Sequence, residues 1–135
     1  GSMYNSESYK IDISSLNPVG QQIVQSLLAD CKPTAKIRSI ARYYIDIQSV
    51  LKNCANMLSN GGMAFFVVGD TEYRGVKIKN SEHLIQCLKN EGFTDIKAAK
   101  RRISNRDESG RFSTDKSKRT IYHEEFIISG RMWHQ

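Results

Sequence analysis

The apolar positions along the chain change from helical to extended spacing and back. After a polar start, Val19, Ile23, Val24, Leu27 and Leu28 step by three and four, which predicts an amphipathic helix. Asn17 stands where an N-cap belongs and Pro18 at the first helical position, where a missing N–H costs nothing. Cys31-Lys32-Pro33 ends this helix. A longer stripe follows: Ile37, Ile40, Ala41, Tyr44, Ile47, Leu51, Cys54, Ala55 and Leu58. It predicts a second helix over 34–59, capped by Thr34, with Tyr43, Val50 and Met57 widening its buried face. Asn60-Gly61-Gly62 supplies a left-handed helix C-cap. Met63 to Val68 then runs apolar without alternation, which predicts a strand buried on both faces of a covered sheet.

Gly69-Asp70-Thr71 reads as a turn that opens a 70–79 loop. A third helix starts at Asn80 or Ser81 as its cap, with Leu84, Ile85 and Leu88 inward, His83 outward and Gly92 closing it. Residues 93–104 read as a strand that turns basic, 105–118 have turn composition, and 120–131 form a last strand anchored by Ile121, Phe126, Ile127 and Ile128. The 93–131 segment is therefore a long hairpin with a polar tip. A brief alternation over Tyr9–Ile13 predicts an edge strand or an ordered arm. Helix, tight turn, strand and open loop make half of a doubly wound α/β unit. Ligands of such sheets gather beyond the carboxyl ends of the strands, so Gly69 to Gly75 is the first place to look for a site.

Charge shifts that emphasis. The chain carries a net charge of +6, and residues 97–119 hold nine cations against three anions, while the rest holds eleven of each sign. The whole excess sits on this hairpin, which predicts one electropositive face. The length suits a single domain. Gly1 to Met3 read as a cloning remnant and start, 4–33 as an arm and helix, 34–131 as the α/β body and 132–135 as a tail. No apolar run nears the ~20 residues that span a bilayer. Three widely spaced cysteines without a CxxC pair predict reduced, buried thiols in a cytoplasmic protein. His123-Glu124-Glu125 lacks a second histidine, since Ile127 stands four residues on, so it makes no zinc-protease motif and no metal is expected. Glu124 or Glu125 instead pairs with an arginine across the hairpin. His83 and His134 have no ligand partner at metal spacing, and no GxSxG or cysteine beside a histidine marks a nucleophile.

Several pieces together carry a resemblance: Tyr43-Tyr44-Ile45-Asp46, Met57 to Gly62, Phe66-Val67-Val68-Gly69-Asp70, Arg74-Gly75-Val76-Lys77-Ile78, Glu91-Gly92-Phe93, Arg101 to Arg106 and Tyr122 to Ile128. Over roughly 35–131 the chain resembles the C-terminal half of a class I S-adenosylmethionine-dependent methyltransferase. More narrowly, it is similar to the restriction–modification DNA methylases that act on N4 of cytosine or N6 of adenine. The resemblance implies an α/β fold with a partial Rossmann-like methyltransferase sheet. Strands five, seven and six would lie side by side with seven antiparallel, mapping to 63–68, about 119–130 and about 93–104. It also implies a prokaryotic or phage-like source.

The chain departs from that family in what it lacks. The glycine-rich stretch that binds the methyl donor and the PP-aromatic catalytic tetrad are both absent; its two prolines precede Val19 and Thr34. The resemblance thus implies a fragment or subunit with no catalytic residue of its own. S-adenosylmethionine would bind mainly in the other half, and this chain alone would neither bind it tightly nor methylate DNA. The implied partners are DNA, that other half or a partner subunit, and a second copy through the edge of strand five. Arg74, Lys100, Arg101, Arg102, Asn105, Arg106, Arg111, Lys116 and Lys118 are the candidate nucleic-acid contacts, because guanidinium and ammonium groups neutralise phosphates. Asp70 or Arg74 could position a base or a phosphate, against a plain turn reading that Asp70 and Thr71 favour. Two other readings stay open: a non-catalytic nucleic-acid-binding or assembly module on a decayed methyltransferase half-fold, and an RNA methyltransferase fragment.

Overall fold

A computed structural model describes residues 12–30, 34–102 and 124–134. The architecture is mixed α/β, with three helices and a four-stranded antiparallel sheet. The elements are α1 (Pro18–Asp30), α2 (Ala35–Met57), β1 (Gly62–Tyr73), β2 (Val76–Ile78), α3 (Asn80–Asn90), β3 (Thr94–Arg102) and β4 (Glu124–Met132).

Both predicted caps of the first two helices are present. Asn17 Oδ1 accepts from the N–H of Gly20 at 2.9 Å, and Thr34 Oγ1 from that of Ile37 at 3.2 Å. Ile37, Ile40, Ala41, Tyr44, Leu51 and Ala55 bury the inner stripe of α2. Tyr43, Val50 and Met57 do not join it. They lie at seven-residue spacing on the outward side and are exposed. Helix α2 ends at Met57, so the glycine pair is not its cap. Gly61, with φ +81°, instead serves the turn in which the N–H of Gly62 bonds to the carbonyl of Ser59. That turn holds the end of the chain: Arg131 donates to the Gly61 carbonyl at 2.7 Å, and a Cβ on Gly61 would stand 2.9 Å from the Trp133 ring.

The sheet order is β2-β1-β4-β3, so β4 lies between β1 and β3 and runs antiparallel to both. The predicted 70–79 loop is a hairpin. Strand β1 continues through Gly69-Asp70-Thr71 to Tyr73 and pairs with β2 across Arg74-Gly75. Both turn residues have positive φ, 52° and 79°, as a type I′ hairpin turn requires. The Tyr9–Ile13 alternation falls mostly outside the described residues, and Ile13 itself opens a 3-10 turn to Ser15.

The three helices contribute two apolar clusters. One joins α1 and α2 to Ile78 of β2. The other packs Leu51, Leu84 and Leu88 against Val68 and Ile128 on one face of the sheet. The other face of β1 is bare: Met63, Phe65 and Val67 are all exposed. The strand is therefore not buried on both sides. Its continuous apolar run encodes one face packed on helices and a second that no described element covers. The outer edge of β1 is paired by β2 only at Thr71–Tyr73.

Candidate functional site

The carboxyl end of β1 opens into a cleft of about 430 Å³. Ile85, Ala98 and Phe126 give it apolar walls, and Asp70, Glu82 and Glu124 line it with carboxylates beside Lys77 and Lys79. Glu124, the first residue of β4, stands at this cleft. The cleft thus offers hydrogen-bond acceptors above an apolar floor.

Asp70 shows how the elements are joined. Its Oδ1 accepts from the Ser81 N–H and its Oδ2 from the Ser81 hydroxyl, each at 2.8 Å. Ser81 lies in the first turn of α3, whose own N-cap residue, Lys79, makes no side-chain capping bond. A carboxylate from the neighbouring strand therefore caps the helix, in place of Asn80 or Ser81, and its charge faces the positive end of the helix dipole. Burial raises the Asp70 pKa, the two Ser81 bonds lower it, and the negative charges of Glu124 and Glu82 raise it again. Asn80 does separate work: its Oδ1 accepts from the Tyr44 hydroxyl at 2.8 Å and its amide donates to the Gly69 carbonyl at 3.0 Å.

The candidate cations fall in different places. Arg74 occupies the β1–β2 turn, its guanidinium carbon 5.5 Å from the Tyr73 ring centre. Lys100 and Arg101, neighbours in β3, point to opposite faces of the sheet. Lys100 pairs with Glu124 at 2.9 Å, and Arg101 with Glu125 at 2.8 Å. The cross-hairpin pairing thus involves both glutamates. Arg102 stands opposite Glu124 in register. Asn105, Arg106, Arg111, Lys116 and Lys118 lie outside the described residues.

His83 lies inward and not outward. It is fully buried, because α3 lies with Ser81, His83, Leu84, Cys87 and Leu88 inward. Its ring stacks on Tyr44 with centroids 4.1 Å apart, and its Nε2 donates to Gln48 Oε1 at 3.3 Å. Cys87, one turn later, has its Sγ 3.8 Å from the ring, so a cysteine does touch a histidine. The i, i+4 spacing of His83 and Cys87 was the sequence signal for this contact. Asn17 completes the cluster by donating to Cys87 Sγ at 3.4 Å and to the His83 carbonyl at 3.3 Å. Burial lowers the His83 pKa to about 4 and raises that of Cys87 to about 11. Both groups are therefore neutral near pH 7, the reverse of a thiolate–imidazolium pair, and the cluster is a structural joint.

Among the described residues no group of three or more His, Cys, Asp or Glu side chains could hold a metal ion. Of the described glycines with positive φ, Gly61 faces Trp133, Gly75 sits in a hairpin turn and Gly92 follows the end of α3. No helix among the described residues is long and apolar enough to cross a membrane. Comparisons with family models, with curated proteins and with solved structures each found no match.

Proposed function

We propose that this chain is the C-terminal part of an S-adenosylmethionine-dependent DNA methyltransferase that acts on an exocyclic base amine. It supplies sheet scaffold and DNA-backbone contacts, while donor binding and catalysis belong to the other half. The observation that carries this reading is the strand order. β1, β4 and β3 lie side by side with the middle strand reversed, the order in which the resemblance places strands five, seven and six. Further support comes from the bare face of the sheet and the largely unpaired outer edge of β1, both surfaces that a larger sheet domain would cover.

The DNA part of the reading rests on charge. The net excess of the sequence lies in 97–119, and of the elements next to it β3 ends at Arg102 while β4 starts at Glu124, which lines the cleft. Enzymes that modify a base amine take the base out of the stack, which requires firm hold on the flanking phosphates. The cations of 97–119 serve that hold.

The test is reconstitution. The DNA flanking this reading frame is read for a frame encoding the glycine-rich and PP-aromatic motifs, and the two polypeptides are mixed with plasmid DNA and radiolabelled S-adenosylmethionine. Methyl transfer appears only with both present, and calorimetry on this chain alone shows no saturable low-micromolar donor binding. Tight donor binding by this chain, or no such neighbouring frame, refutes the reading and favours a non-catalytic binding module.

A further inference from the structure

The bare face of the sheet has a definite shape and sign. Phe65 and Val67 are each 66% exposed, with Met63 beside them. The register sets Ile127 next to Val67 and Ala99 next to Ile127, so three adjacent strands share one apolar strip. Contiguous exposed apolar area on this scale is a mark of an interaction surface. Cations frame it. Lys97 and Arg101 flank Ala99 along β3, and Arg131 stands opposite Met63, with its Nη2 3.1 Å from the Met63 sulfur. Of the carboxylates nearby, Glu125 is engaged by Arg101 and Asp95 lies 3.8 Å from Arg131.

We propose that this face docks an amphipathic α-helix of a partner polypeptide. Its aliphatic stripe lies over Phe65, Val67 and Ile127, and its carboxylates lie toward Lys97 and Arg101. From Met63 to Val67 the strip runs about 14 Å at the rise of a strand, which a helix spans in about nine residues. Aliphatic positions at i, i+4 and i+7 of such a helix match it. Charge complementarity selects the acidic flank. A second copy brings its own Lys97, Arg101 and Arg131 on a chain of net charge +6, so like charges meet. The chain's own 103–123 segment lacks this pattern in its sequence. Residues 103–123 carry five cations against three carboxylates and scatter Ile103, Phe112, Ile121 and Tyr122 without a helical stripe. The same bare face also supports the methyltransferase reading, but peptide titration and reconstitution are separate readouts, so either can fail without the other.

The experiment titrates the full chain into a fluorescein-labelled synthetic helix of about 18 residues, with leucines at i, i+4 and i+7 and glutamates on the flanks, and follows anisotropy. A lysine-flanked copy, the double variant Phe65→Ser/Val67→Thr and phosphatidylserine vesicles serve as comparisons. The proposal expects saturable micromolar binding of the glutamate helix. Lysine flanks or the double variant weaken it at least about tenfold, with the far-ultraviolet circular dichroism of the variant unchanged. It is overturned by a glutamate helix that does not saturate or by lysine flanks that bind as well. Self-association in light scattering, or vesicle capture, that the double variant abolishes also overturns it by naming a second copy or a membrane as the occupant.

Discussion

His83 sits where three helices meet, and its chemistry follows from that position. Stacked on Tyr44 and bonded to Gln48, the ring is held neutral because burial penalises the imidazolium. Its pKa falls from 6.5 to about 4. The unfolded chain therefore takes up a proton first, and the stabilising difference is fully present above pH 6.5 and is lost as pH falls toward 4. Integrated over that window it amounts to roughly 3 kcal/mol. Asp70 acts with the opposite sign, because its raised pKa weakens the fold as it ionises. Urea unfolding at pH 7 and pH 4.5 reads the effect. The variant His83→Phe, which keeps the stacking but not the titration, shows a distinctly shallower loss of stability across this interval. An equally steep loss in the variant assigns the acid sensitivity elsewhere.

At the scale of elements, the β1–β2 hairpin and α3 depend on each other through one side chain. Asp70 reaches Ser81 only because β1 stays extended past Gly69 and turns at Arg74-Gly75. Replacing Asp70 with alanine removes the helix cap and leaves the Ser81 N–H without its acceptor, at a cost of about 1–2 kcal/mol. Asparagine retains an acceptor and removes the repulsion from Glu124, so Asp70→Asn stays close to the wild type. Chemical denaturation of both variants at pH 7 measures this, and equal losses in the two would assign the effect to charge rather than to capping. The hairpin was hidden in the sequence because Gly-Asp-Thr has turn composition, whereas the turn lies five residues later on a non-glycine residue with positive φ. By contrast, the second helix was legible from its cap and stripe, since burial on one side leaves a 3.6-residue period in the sequence.

For the whole molecule, the charge on the second hairpin is the property with the widest reach. If the cations of 97–119 hold DNA, retention on a DNA column falls steeply with salt, with a log–log slope of about 0.9 per phosphate neutralised. Reversing Arg102 and Arg106 to glutamate then abolishes retention at low salt; retention equal to wild type rejects this surface. Lys100 and Arg101 contribute less than their charge implies, since Glu124 and Glu125 already engage them. Their ion-pair partners were predictable in kind, as a glutamate pair facing an arginine-rich strand, but the split of Lys100 and Arg101 between the two faces of the sheet needed the strand itself.

The sequence alone determined the helices, the three longer extended segments and the location of the excess charge, because each leaves a local record in spacing, caps or composition. The tertiary structure alone decided three other things. It set which face of β1 is covered, because a continuous apolar run carries no information about which neighbours arrive. It turned His83 inward, because helix rotation is fixed by packing against α1 and α2 rather than by the residue type. It recruited Asp70 to α3, because a cap supplied from eleven residues away depends on the hairpin that brings the two together.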